Sequence, residues 1–546
     1  MSWTRRELLF KVGQAAGVGA VYQTIAALGL LPNELAYAGK PQLVKGHGQT
    51  VCILGSGVGG MAAAYELQKA GFRCMVLEAQ SRPGGRNRTI RSGDIIDEID
   101  SRQYCNFDQE ENLYFNAGPA RIAHHHRAVL DYCREFGIDL EIFCNENRAG
   151  FFHSAHSFDG KPISNREYVT DCRGYLSELL AKAIRKSLLD QELSAIDQER
   201  LLDFVHEYGD LDASGRYLGS KRAGYQGSVT GGLYEGQLKV PRGLDALLKA
   251  DFWTYNFNFT EDPNQAATML QPKGGMDRIV QAFYERIADS VYLNTEVVGI
   301  FNRSDDVEIV YQQNGELNRC RADFVISTLP LPIMTSIKHN FGEKYRQTFA
   351  SVTYDHASKF ALQSPRFWEE KHHIYGGITW TSQTITQLWY PSSAFHNEQG
   401  VLVGAYVWDP EPMSLFQGLS PHDRERLALR EIGNIHPELI NSVQSSISYA
   451  WGKIKYQQGS WAQDDKVAPE LLRSAVGRVY FAGDYMSHLS GWQEGAIRSA
   501  HHVIQTLSHR VQASAQVPSQ LVHSPTKARN WIPTPSPQQH GIPLVL

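Results

Sequence analysis

Val51-Cys52-Ile53-Leu54-Gly55-Ser56-Gly57-Val58-Gly59-Gly60 reads as a buried strand running into a glycine-rich turn. Four apolar residues in a row suit a strand covered on both faces. A helical pattern follows through Met61, Ala64, Leu67 and Ala70, closed by Gly71, and Cys74-Met75-Val76-Leu77-Glu78 reads as the next strand. Gly55 permits the tight turn, and Gly57 lets backbone approach a pyrophosphate. Gly59 belongs to the same turn, and Gly60 lets helix and strand pack closely, while the helix N-terminus faces the phosphate charge. Glu78 ends the second strand about 20 residues on, where an acidic side chain takes ribose hydroxyls. Strand, turn, helix, strand and acid together predict a dinucleotide site at the start of a doubly wound α/β unit.

Around this unit lies a chain of 546 residues, long enough for two or three packed units. Its net charge of −5 argues against a nucleic-acid binder, which needs a basic face to displace counterions. A hydrophobic content of 42% supplies a large core. Seven cysteines without a CxxC pair exclude a disulfide scaffold and a zinc module. No metal ligand set is expected. His124-His125-His126 is read as part of a helix face, where adjacent side chains point about 100° apart and cannot converge on an ion.

The first residues, Thr4-Arg5-Arg6 followed by a mildly apolar stretch and Ala36-Tyr37-Ala38, resemble a twin-arginine export signal over residues 1–38. The expectation is a periplasmic or secreted protein, exported with its cofactor already loaded. If the segment is retained, the protein is cytoplasmic or held at a membrane surface. Past residue 40 no apolar run is long enough to span a membrane.

After Glu78 the chain continues Ala79-Gln80-Ser81-Arg82-Pro83-Gly84-Gly85-Arg86. This resembles the E-A-x-x-R-x-G-G-R segment of the FAD-dependent amine oxidase superfamily. Gly85 brings backbone to the cofactor, and Arg86 supplies charge to phosphate. Pro272-Lys273-Gly274-Gly275-Met276-Asp277 resembles that family's GGM turn, and Thr295-Glu296-Val297-Val298 its adenine-contacting strand, with Val298 assigned to FAD. Tyr480-Phe481-Ala482-Gly483-Asp484 and Gly491-Trp492-Gln493-Glu494-Gly495-Ala496 resemble the closing FAD motif. Gly483, Asp484, Gly491, Trp492 and Ala496 are assigned to the flavin end on that basis, and Ala79 to the adenine end.

Asn116-Ala117-Gly118-Pro119-Ala120-Arg121 resembles the G-P-x-R segment of flavin-dependent L-amino acid oxidases. The resemblance places Gly118, Pro119, Ala120 and Arg121 at the flavin and forks Arg121 onto the substrate carboxylate. A planar guanidinium suits that task because it gives two parallel hydrogen bonds. Trp389-Tyr390-Pro391 resembles the aromatic–Tyr–Pro segment, in which Tyr390 donates to the same carboxylate beside Trp389. Ala357-Ser358-Lys359-Phe360 resembles the segment whose lysine holds a water near flavin N5, making Lys359 the catalytic candidate. Trp492 and Gly491 would wall the substrate cavity. The segment Gln457–Trp461 carries no cysteine, where monoamine oxidases attach flavin covalently, so the FAD is expected to be non-covalent.

The implied architecture is α/β: a glutathione-reductase-type, Rossmann-like FAD domain from residues 47–100, 265–345 and 455–512. A mixed-sheet substrate domain takes residues 101–158 and 346–454, and a helical domain, marked by Leu179, Leu180, Ile184, Leu188 and Leu189, takes 159–264. Residues 513–546 read as a proline-rich tail. The implied reaction is oxidation of an L-amino acid to an imine that hydrolyses to 2-oxo acid and ammonia, with O2 reduced to hydrogen peroxide. An amide-forming 2-monooxygenase, another flavin amine oxidase and a non-catalytic flavin-binding protein are the alternatives. The partners expected are an L-amino acid, O2 and a second copy of the chain in a homo-oligomer.

Overall fold

The computed structural model describes residues 39–189, 193–227, 232, 236–253, 256–463 and 470–516. The leader read in residues 1–38 lies outside them, as does the tail beyond residue 516. The first residues assigned to that tail continue the last helix, Gln493–Gln516. The chain divides into units Met1–Gln42 and Leu43–Leu546, and every element below belongs to the second.

The quoted apolar run forms strand Thr50–Leu54, buried at every position. It pairs in parallel with Arg73–Leu77 on one side and Phe324–Ser327 on the other. Val291–Tyr292 and Val479–Phe481 complete a five-stranded, all-parallel sheet. Its strands come from three separated stretches of chain. A parallel sheet must be covered on both faces, which explains the unbroken apolar runs. Helix Val58–Lys69 packs there against Gln493–Gln516, close enough that a Cβ on Gly59 would lie 2.9 Å from the Ala496 carbonyl. A Cβ on Gly60 would lie 2.2 Å from the Gly55 carbonyl. Here glycine is a packing requirement. Thr295–Asn302, Val307–Gln313 and Glu316–Ala322 form an antiparallel meander with Lys338–His339 at its edge.

A mixed seven-stranded sheet runs Ile163–Ser164, Phe151–His153, Ile378–Thr381, Gln387–Trp389, Gln399–Val407, Ser358–Pro365, Ser445–Ala450. The two-residue alternation of strands sorts its side chains. Phe360, Leu362, Ala405 and Val407 pack with Phe416, Ala428 and Ile432 of the helices Pro410–Gly418 and Pro421–Gly433. Lys359 and Tyr406, cross-strand partners, point to the opposite face.

Helices Asn165–Arg185 and Ala195–Gly209 begin at Ser164 and Ser194, whose hydroxyls accept from the Glu167 and Asp197 amides. Ala181, Ile184 and Val205 form a small core between them. The apolar stripe is narrower than the sequence suggests: Leu179 and Leu188 are exposed. The triple histidine is not helical. It forms the turn before helix Arg127–Phe136, and His125 and His126 both place Nε2 3.2 Å from Asn264 Oδ1.

Candidate active site

Two cavities meet along the C-terminal edge of the parallel sheet. One is lined by Gly55, Glu78, Ala79, Gly85, Thr295, Glu296 and Val297. The other is lined by Gly59, Gly118, Pro119, Lys359, Tyr406, Gly483, Gly491, Trp492 and Ala496. Gly57, Arg86 and Thr328 line both, so the two form one elongated channel.

The channel fits a dinucleotide on three observations. No side chain caps helix Val58–Lys69, whose N-cap is Gly57, so its first amides are left for an anion. A Cβ on Gly57 would meet nothing within 4 Å, so its bare backbone faces open space. The Gln493 side chain, buried and lining the channel, has neither its amide oxygen nor its nitrogen hydrogen-bonded among the described residues. Buried polar atoms are rarely left so, and a ligand's polar groups would satisfy them.

Glu78 is held in place by its own neighbours: Ser56 donates from backbone (2.9 Å) and hydroxyl (2.7 Å), and Gln80 N donates to the other oxygen. Arg86 forks onto Asp484 and donates to the Ser460 carbonyl at 2.7 Å. Its charge is therefore shared with a carboxylate rather than offered to phosphate alone. Val298 lines neither cavity. The strand bulges there, Val297 and Gly299 facing successive partners Tyr311 and Val310, and Val297 takes the lining position.

Beyond the flavin end, a third cavity shares Gly118, Pro119, Lys359, Tyr406, Trp461, Gly491 and Trp492 with the second, and adds Ala120, Arg121, Gln265, Asp355, Trp408 and Asp409. The Arg121 guanidinium lies 4.5 Å from the Trp389 ring centre and 5.4 Å from that of Trp492. Its Nε and Nη2 both donate to Gln265 Oε1, at 3.1 and 2.6 Å. The two parallel N–H groups thus already hold an oxygen acceptor, here that of a neutral amide. Lys359 is buried, donating to the carbonyls of Asn116 (3.0 Å) and Gly118 (2.7 Å) with its ammonium 4.6 Å over the Tyr406 ring. Burial, and then the nearby Arg121 charge, lower its pKa to about 7.

With this geometry in view, residues 58–505 match the flavin containing amine oxidoreductase family. The chain belongs to that family. An L-amino-acid oxidase of Bungarus fasciatus is 26% identical over 502 residues, 86% of this chain and 88% of the relative. One of Bothrops pauloensis is 27% identical over 481 residues, 82% and 87% of the two chains. Cyclohexylamine oxidase from Brevibacterium oxydans IH-35A covers 85% of this chain and all of its own, with TM-score 0.57 and 16% identity. A putrescine oxidase triple mutant gives TM-score 0.56 at 18% identity. The protein is a flavoprotein oxidoreductase of the amine oxidase fold, with FAD as its cofactor.

In this amine oxidoreductase the expected carboxylate partner Tyr390 is displaced from the site. Gln387–Trp389 alternates faces, so Trp389 meets Arg121 and Tyr390 turns the other way. Its hydroxyl lies 2.9 Å from Thr379 Oγ1 and 2.6 Å from His436 Nε2, in the core beneath the sheet. The tyrosine in the substrate cavity is Tyr406, whose hydroxyl burial pushes up to about 12, so it stays protonated. Gln265, Tyr406, Trp461 and the acids Asp355 and Asp409 escaped the sequence reading. Alternation along Gly400–Val407 places Tyr406 opposite Lys359, and this was the one signal for it. No cysteine lines the channel among the described residues.

Proposed function

We propose that the enzyme oxidises L-amino acids to 2-oxo acids, with release of ammonia and hydrogen peroxide. The observation that carries this reading is Arg121 in the cavity beside Lys359, its fork closed on a neutral amide oxygen and two indoles close to it. A substrate carboxylate offers one oxygen to each N–H and carries a full negative charge, and so outcompetes the single Gln265 oxygen for the guanidinium. The Trp389 and Trp492 rings both lie against the guanidinium. Anchoring the carboxylate fixes where the Cα–H points, which converts binding into orientation toward the flavin. FAD, when bound, supplies the two-electron oxidation and hands the electrons to oxygen. Lys359 places a group that titrates near neutrality at the inner end of the same cavity, able to hold water and move a proton there. The L-amino-acid oxidase names of the relatives support this substrate class.

The test compares L-leucine, L-phenylalanine and L-lysine with the amines that lack only the carboxylate, in a peroxide-coupled assay with product analysis. Turnover of the acids to 2-oxo acid and peroxide supports the reading. Preference for the bare amines moves the enzyme to the amine branch, and an amide product makes it a 2-monooxygenase. Export through the leader in residues 1–38 is also proposed, tested by N-terminal sequencing of the periplasmic fraction.

A further inference from the structure

On the side of the seven-stranded sheet turned away from the substrate cavity, three ligating side chains converge from two distant stretches of chain. His372 follows helix Phe367–Glu370, while His436 and Glu438 flank the start of the 3₁₀ turn Pro437–Asn441. One ligand atom from each lies within 4.8 Å of the others. None of the three lines the cavities described above.

We propose that His372, His436 and Glu438 form a binding site for a divalent transition-metal ion of the zinc class. The His436 ring is fully buried, and its Nδ1 has no hydrogen-bond partner among the described residues. The nearest carboxylate oxygen, on Glu438, is 3.6 Å away, outside hydrogen-bond range. A buried ring nitrogen left in this state needs an explanation. The other nitrogen supplies it: Nε2 lies 2.6 Å from the Tyr390 hydroxyl, which itself lies 2.9 Å from Thr379 Oγ1. Thr379 and Tyr390 can each donate in this chain; in the arrangement a bound cation selects, Nε2–H donates to Tyr390, Tyr390 donates to Thr379, and Nδ1 carries a lone pair. That lone pair faces Glu438 and His372. An imidazole whose far N–H is anchored by a hydrogen bond is the arrangement found around metal-ligating histidines.

His372 Nε2 is hydrogen-bonded to Glu438 Oε1. Both side chains are partly exposed, at 26% and 17%, so they can part to admit an ion while buried His436 stays in place. Zinc ligands lie about 2.0–2.2 Å from the ion, so the carboxylate and the His372 ring must separate by about 1 Å to hold it. Two imidazoles and one carboxylate suit zinc, with solvent in the fourth position. The ion would tie the 3₁₀ turn to the end of helix Phe367–Glu370. No spacing in the sequence reveals this set, because His372 comes from a separate segment.

The experiment uses the FAD-loaded enzyme, stripped with a chelator and dialysed against zinc sulfate, with metal counted by elemental analysis. One zinc per chain is expected, replaceable by cobalt once the zinc has been chelated away. Glu438→Gln and His372→Gln should each abolish that stoichiometric zinc, with unit FAD content showing that the variants fold. Tyr390→Phe should retain the site but weaken it on the order of ten- to a hundredfold. Wild-type enzyme that keeps no zinc overturns the proposal, and so does equal zinc retention in wild type and both ligand variants. The latter outcome would assign the metal to other histidines.

Discussion

Arg121→Lys keeps the charge but loses the planar fork. A lysine cannot hold both carboxylate oxygens in two parallel hydrogen bonds, so the substrate pivots and its Cα–H drifts. The expected loss in kcat/KM for L-amino acids is about 2–4 kcal/mol, from loss of a charge-assisted bidentate pair. Steady-state kinetics check it, and unchanged values would place the carboxylate elsewhere. Lys359 makes a pH prediction. Its folded pKa of about 7 lies well below the ordinary lysine value, so between the two the unfolded chain binds more protons. Its contribution to stability therefore rises as pH climbs through that window and levels off once the unfolded lysine also loses its proton. Flavin reoxidation followed by stopped flow should inflect near pH 7 and slow about tenfold in Lys359→Met, because a cation beside the flavin favours electron transfer to oxygen. A flat profile in the parent enzyme would make Lys359 structural. The residue types in Gly118–Arg121 and Ser358–Phe360 made Arg121 and Lys359 legible. Tyr390 misled because a motif names a tyrosine without saying which face of the strand it takes.

Helices and strands are where close packing does the specifying. Gly60→Ala places a methyl 2.2 Å from the Gly55 carbonyl, a backbone atom that cannot swing aside. Strand and helix must separate, costing about 1–3 kcal/mol and disturbing the amides that face the dinucleotide. The melting temperature and FAD affinity should both fall. Gly418→Ala, whose new methyl would meet nothing within 4 Å, serves as the control and should change neither. A second element-level test concerns Arg424 on helix Pro421–Gly433 and Glu98 on strand Ile95–Glu98. The pair is bidentate at 2.7 and 2.8 Å with both side chains fully buried. Arg424→Met strands the Glu98 charge and should destabilise by about 3–5 kcal/mol. Adding Glu98→Gln should return part of that, measured by chemical denaturation. Such pairs were invisible in sequence, since the partners are far apart and either alone reads as a surface charge. The glycine turn and its flanking strands were visible because they are local.

At the scale of the molecule, each of the three stretches that the sequence assigns to the FAD unit carries its own glycine or acid motif. What it could not show is how they interlock. The parallel sheet takes its central strand from Thr50–Leu54, one neighbour from Phe324–Ser327 and the edge beyond from Val479–Phe481. The channel is closed by residues from all three stretches, Gly57, Thr328 and Asp484 among them. Arg86 reaches Asp484 across a separation of 398 positions. A fragment ending at residue 345 would contain the dinucleotide turn, the adenine-side cavity and the meander. It would lack strand Val479–Phe481, the Asp484 that neutralises Arg86, and the helix Gln493–Gln516 against which Gly59 packs. Val325, Ile326 and Ser327 would form a bare sheet edge, open to pairing with other chains. Such a fragment should be insoluble or bind no flavin. A circular permutant that joins residues 470–516 to the front of residues 43–463 keeps the sheet pairings among the three stretches and should bind FAD. The full-length enzyme should release its FAD into the supernatant on acid precipitation, since no cysteine among the described residues lines the channel. Flavin absorbance in pellet and supernatant checks both points. A soluble, yellow 43–345 fragment would show that the first two stretches fold without the third, and that the shared sheet is less cooperative than its topology implies.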